Sequence, residues 1–109
     1  MTDAAKKTER LVSTLAGDED MLDLVEMFVS ELPGRVGAIH QALAHQNFEM
    51  LQRLAHQLTG AAGGYGFPAI TDAAKELELS TNLNADIERL DEQFRELADL
   101  CTRARATAS

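Results

Sequence analysis

Apolar positions recur at three- and four-residue intervals along most of this chain. The longest run is Leu22, Val25, Phe28, Val29, Leu32, Val36, Ile39 and Leu43, and it keeps its phase across Pro33-Gly34. That spacing lines one face of a helix, so it predicts a single long helix over about residues 19–45, bent at the proline. Two helices meeting at Pro33-Gly34 are the alternative. Asp18 is the expected N-cap, with Glu19 and Asp20 beside a positive helix end. Upstream, Leu11, Val12 and Leu15 predict a short amphipathic helix over about residues 8–16, closed by Gly17.

A second run, Leu51, Leu54, Ala55, Leu58, Ala62 and Tyr65, follows Asn47, a good N-cap, and loosens at Gly63, Gly64 and Gly66. Pro68 suits the first turn of the next helix, which carries Ile70, Ala73, Ala74 and Leu77. Ser80–Asn84 reads as a turn. Asn84 is the expected cap of a last helix running to about Arg105, with Ile87, Leu90, Phe94, Leu97 and Cys101 on its apolar face. The tail from Ala104 is expected to fray, and residues 1–7 and 106–109 are assigned as loose ends. The expected fold is all-α: an antiparallel four-helix bundle with a short extra N-terminal helix, one domain over residues 1–109.

Composition agrees with this reading. Aromatic residues are few (four Phe, one Tyr, no Trp) and there are two prolines, which favours helices over sheets. A net charge of −8 leaves no basic stripe to meet phosphates, so neither nucleic acid nor an anionic membrane is an expected partner. No apolar run approaches the roughly 18 residues of a spanning helix, and no apolar segment follows Met1-Thr-Asp-Ala-Ala-Lys-Lys as a secretion signal would require. Cys101 is the single cysteine. It cannot form an intramolecular disulfide, and its spacing points to core packing rather than to a reactive thiol. The expectation is a cytoplasmic monomer.

His56 stands out. With Leu51 set to zero on a helical wheel, Leu58, Ala62, Ala55 and Tyr65 fall within about 40°, while His56 lies about 140° away. Gly63 falls near 120°, Gly60 near 180° and Arg53 near 200°. The imidazole is therefore expected on the solvent side, with a glycine one turn later and an arginine one turn earlier. An ordinary surface histidine is the plain alternative, and it is the reading taken for His40 and His45. Each helical glycine costs about 1 kcal/mol relative to alanine, so a glycine-lined face beside one imidazole calls for a reason other than stability. Close approach by another protein is such a reason.

The chemistry open to this histidine is narrow. Zinc wants three or four ligands, and no HxxxH, CxxC or HxxE pair accompanies His56, so no metal is expected. Nucleophilic hydrolysis wants a serine or cysteine, a base and an oxyanion hole, and no such set is evident. Gly64-Tyr-Gly-Phe-Pro-Ala69 formally fits a dinucleotide-binding glycine pattern, but that pattern follows a strand and here a helix precedes it. What remains is a neutral imidazole acting as a nucleophile toward phosphorus.

Ala55-His56-Gln57-Leu58-Thr59-Gly60, followed by Gly66, Ile70, Ala74 and Leu77-Glu78, resembles the motif of histidine-containing phosphotransfer (HPt) domains, and the likeness extends over the helical framework. The resemblance implies that His56 exchanges a phosphoryl group on Nε2 with the aspartate of a response-regulator receiver domain, within a relay fed by a sensor or hybrid histidine kinase. It further implies that the receiver supplies Mg²⁺, that the chain needs no cofactor of its own, and that it is a phosphocarrier rather than an enzyme. Gly60 and Gly63 would admit the receiver's loops. Arg53, Gln57, Thr59, Lys75 and Glu78 complete the implied surroundings of the phosphoryl group and imidazole. The spacing from His56 to Glu78 is similar to that in chemotaxis-type kinases, where the matching carboxylate bonds the imidazole Nδ1. A solvated surface carboxylate is the plain alternative for Glu78.

Thr59 departs from the motif, which has a lysine there. Arg53, fixed on the same helix, is the preferred compensating cation, and Lys75 is the second candidate. Two other readings of the chain stay open: the phosphoacceptor domain of a chemotaxis-type kinase, and a binding-only bundle that docks receivers without transfer. The start at Met1 and the early helix favour a free-standing protein.

Overall fold

The computed structural model describes residues 9–108. Four helices run through them: α1 (Leu22–Ala44), α2 (Phe48–Gly64), α3 (Pro68–Asn82) and α4 (Ile87–Arg103). Two short strands, β1 (Leu11–Val12) and β2 (Ala104–Arg105), flank the helices in the chain and pair in parallel, Leu11 with Ala104 and Val12 with Arg105. The class is all-helical, a four-helix bundle in which α2 packs on both α1 and α3, and α4 on both α3 and α1.

The periodic runs build the core. Val25, Phe28, Leu32 and Ile39 of α1 meet Leu51, Ala55 and Leu58 of α2, Ile70, Ala74 and Leu77 of α3, and Leu90 and Leu97 of α4, all buried. α1 is one helix that passes through Pro33 without a break. The proline and Gly34 lie on its exposed outer side, where loss of a backbone donor is cheapest.

The three helix connections are alike. Each ends its helix in a left-handed residue: Gln46 (φ 53°), Gly66 (φ 85°) and Asn84 (φ 56°). In each, the next backbone N–H reaches back to a carbonyl of the last turn: Asn47 to Ala42 at 2.8 Å, Phe67 to Ala62 at 2.9 Å and Ala85 to Ser80 at 2.9 Å. These six-residue closures satisfy carbonyls that a helix end leaves orphaned. The following residues start the next helix at once. Asn47 caps α2 by accepting from Met50 N at 3.2 Å, and Pro68 opens α3.

Five sequence expectations fail at the ends of elements. Ser80–Asn84 is not all turn, since Ser80–Asn82 form the end of α3. The segment read as an N-terminal helix contains β1 and a turn, because Leu11 and Val12 find backbone partners in Ala104 and Arg105; Thr8 lies outside the described residues. Asp18 caps only a local turn, accepting from Asp20 N at 3.0 Å, while Met21 holds the N-cap position of α1 without a side-chain bond. Asn84 terminates α3, and Asp86 caps α4 by accepting from Arg89 N at 2.9 Å. The last helix stops at Arg103, and the tail is tied down rather than frayed. Ala104 is buried, Arg105 O accepts from Ser13 N at 3.0 Å, and Ala108 O accepts from Arg10 at 3.3 Å. Residues 1–8 and 109 lie outside the described residues.

The N-terminal segment also fastens the connection between α2 and α3. Thr14 N donates to Gly66 O at 2.9 Å and Ser13 Oγ donates to Tyr65 O at 2.7 Å. From the other side, Phe28 of α1 stacks on Tyr65 and Phe67 with ring centroids 5.0 and 5.8 Å apart, and the Arg35 guanidinium lies 5.7 Å from the Phe28 ring centre. The turn joining the two helices around His56 is thus held by both its neighbours.

Candidate functional site: an exposed histidine on a carboxylate

Residues 51, 55, 58 and 62 of α2 point into the core, which leaves His56 on the outside. The imidazole side chain is 70 % exposed. Its Nδ1 lies 2.9 Å from Oε2 of Glu78 on α3, and the carboxylate is only 15 % exposed. Leu77, buried next to Glu78, fixes the rotation of α3 that aims the carboxylate along the α2–α3 seam. Among the described residues, the other imidazole nitrogen makes no hydrogen bond within the chain.

The same carboxylate oxygen has a second donor. Gln52, one turn before His56 on α2, donates from Nε2 to Glu78 Oε2 at 3.3 Å. Gln52 was not among the residues singled out from the sequence. Its position four residues before His56 places both side chains on one helix face, and that spacing was the available signal.

The remaining candidates sort clearly. The Thr59 hydroxyl donates to Ala55 O of its own helix at 2.9 Å, so its proton is already committed. Arg53, Gln57 and Lys75 are exposed, and among the described residues neither Arg53 nor Lys75 forms an ion pair. A side chain placed at Gly60 would meet nothing within 4 Å, and one at Gly63 would touch Thr71 at 3.5 Å. Gly60 is therefore not required by packing inside this chain. His40 stacks on Phe94 with centroids 5.4 Å apart, and His45 Nδ1 lies 3.0 Å from Gln41 O, so neither has a carboxylate partner like that of His56.

Cys101 faces inward from α4, and burial pushes its thiol from 9.0 up to about 12. It is a packing residue. No three His, Cys, Asp or Glu side chains converge on a metal-binding point among the described residues. No helix there is long and apolar enough to cross a membrane.

The bundle thus presents a histidine on its outer face, with one ring nitrogen held by a carboxylate and the other open. The family model described as Hpt domain matches residues 23–107, from the first turn of α1 to beyond β2. The chain belongs to the Hpt family, whose members carry out histidine phosphotransfer in phosphorelays and interact there with receiver domains and kinases. No curated protein and no solved structure gives a significant match.

Proposed function

We propose that this chain is a phosphocarrier in which His56 Nε2 exchanges a phosphoryl group with the aspartate of a response-regulator receiver domain. The observation that carries the reading is the contact between His56 Nδ1 and Glu78 Oε2 at 2.9 Å on an otherwise exposed ring. An ionised carboxylate only accepts hydrogen bonds, so this contact puts the imidazole proton on Nδ1 and the lone pair on Nε2. The Nε2 pair attacks the phosphorus of the aspartyl phosphate. The N–P bond forms as the P–O bond to the aspartate breaks, and that electron pair leaves with the aspartate carboxylate. Positive charge grows on the ring during the step, and Glu78 lies where it offsets that charge. Reversal returns the phosphoryl group by the same route.

The receiver brings Mg²⁺ and most of the catalysis; the bundle contributes a positioned nucleophile and is not an enzyme in its own right. In this reading the helices run antiparallel, the chain acts as a cytoplasmic monomer, and Gly60 keeps the surface beside His56 low enough for the receiver's loops. Arg53 is the cation that stands in for the lysine replaced by Thr59, since the hydroxyl of Thr59 is already bonded to its own helix.

Incubation with a phosphorylated receiver and Mg²⁺ tests the reading. An acid-labile, base-stable phosphate is expected on the wild type and absent from His56→Gln. Label that persists on His56→Gln, or no label from any receiver of the source organism, overturns it. The His56–Glu78 contact also favours a second reading, the phosphoacceptor domain of a chemotaxis-type kinase. That reading requires labelling by a separate ATP-binding domain and none by receivers. Receivers that bind without labelling would leave a docking module.

A further inference from the structure

Glu78 needs more than one donor. Its side chain is 15 % exposed, and a carboxylate withdrawn from water is costly unless hydrogen bonds replace its hydration. The imidazole alone is an inconstant partner, because it is 70 % exposed and its tautomer can change. Gln52 meets the need: its amide sits 3.3 Å from the oxygen that His56 approaches at 2.9 Å. A carboxylate oxygen has two lone pairs, so both donors fit on it.

We propose that Gln52 is a positioning residue of the phosphoryl-accepting site, its amide fixing Glu78 in the rotamer that receives the His56 Nδ1 proton. The inference rests on the phosphocarrier reading of His56. Only the NH₂ end of the amide can face an ionised carboxylate, so the orientation of Gln52 follows from Glu78. An amide does not titrate near neutral pH, so this bond persists whether the imidazole is free or phosphorylated. Glu78 then stays in place through the transfer and holds Nδ1–H in both directions. Gln52 and His56 are one turn apart on α2, so the helix itself sets the spacing of the two donors.

The test uses the full chain carrying Gln52→Met, which keeps length and helix propensity but removes the donor, and Gln52→Lys, which restores a donor of similar reach. Long-range ¹⁵N–¹H correlations read the His56 tautomer, and stopped-flow transfer from a phosphorylated receiver reads the rate. Gln52→Met is expected to shift His56 toward the Nε2–H tautomer and to slow transfer at saturating receiver three- to tenfold. Receiver affinity should change less than twofold. Gln52→Lys is expected to recover both readouts.

An unchanged tautomer in Gln52→Met overturns the proposal, as does a shifted tautomer with an unchanged rate. A loss that Gln52→Lys does not recover assigns Gln52 to packing instead. If the wild type accepts no phosphate, the phosphocarrier reading fails by itself, and the tautomer measurement still decides whether Gln52 positions Glu78.

Discussion

His56 and Glu78 meet across 22 residues of sequence, with Nδ1 2.9 Å from Oε2, and they sit in opposite environments. The imidazole is 70 % exposed and the carboxylate 15 %. In the proposed function the group that meets a partner is outside, while the group that orients it is sheltered. Truncation to Glu78→Ala should free the imidazole tautomer and slow phosphotransfer about tenfold, the equivalent of one charge-assisted hydrogen bond of about 1.5 kcal/mol. Rapid-quench transfer from a phosphorylated receiver measures this, and an unchanged rate would remove Glu78 from the mechanism.

Gly60 distinguishes the demands of folding from those of the proposed docking. Nothing lies within 4 Å of where its Cβ would be, so Gly60→Ala should stabilise the fold by about 1 kcal/mol through helix propensity. The same methyl group stands one turn from His56, on the face that a receiver would approach in the proposed phosphocarrier reading. Thermal melts should therefore show a gain while transfer slows through weaker receiver binding. A variant that is both more stable and equally fast would show that the glycine has no role in access.

The charge question at residue 59 can be put directly. Arg53→Ala should slow transfer or shorten the phosphohistidine lifetime severalfold, whereas Thr59→Lys, which releases the Thr59–Ala55 bond and adds a cation, should compensate for it. Parallel lifetimes for the single and double variants decide the matter. If Arg53→Ala changes neither quantity, the arginine does not replace the missing lysine.

Two turn positions should respond in opposite directions. Gly66 has φ 85°, and a Cβ there would lie 2.5 Å from Ser13 Oγ and 2.9 Å from Thr14 N. Gly66→Ala should cost at least about 1–2 kcal/mol and loosen the N-terminal segment, read as faster amide exchange at Thr14. Gln46 bears the same left-handed strain with φ 53°, and Gln46→Gly should gain up to about 1 kcal/mol in denaturant unfolding.

Cys101 makes a signed pH prediction. Burial raises its thiol from 9.0 to about 12. The unfolded chain therefore loses this proton first, and between pH 9.0 and about 12 the unfolded state binds fewer protons than the folded state. The contribution is fully present below pH 9.0 and is lost as pH rises through that window. Cys101→Ala should flatten the decline of stability above pH 9.0, and the native thiol should resist disulfide reagents at pH 8 until denaturant is added.

The helices were legible because each follows from the three- and four-residue spacing of its own apolar run, and the face carrying His56 follows from Leu51, Ala55, Leu58 and Ala62. The ends of the elements were not. Leu11, Val12 and Leu15 fit a helical stripe, but Val12-Ser13-Thr14 is weak helix material, and its bonds go to Arg105 and Gly66, far away in sequence. Asn84 and Asp86 are both good caps, and choosing between them depends on Asn84 tolerating the left-handed turn that closes α3. At the site, the spacing from His56 to Glu78 pointed to a carboxylate–imidazole pair but did not disclose that the Thr59 hydroxyl is bonded to Ala55 O of its own helix.

The parallel pairing of Leu11 with Ala104 and Val12 with Arg105 has a mechanical consequence. Tension applied between residue 9 and residue 108 would load the two strands in shear, along their length, rather than peel them apart. The backbone bonds that join them, together with Ser13 N to Arg105 O, would have to give way nearly together before any helix felt the load. Optical-tweezer traces should then show a single rip, with the surface around His56 intact until it occurs.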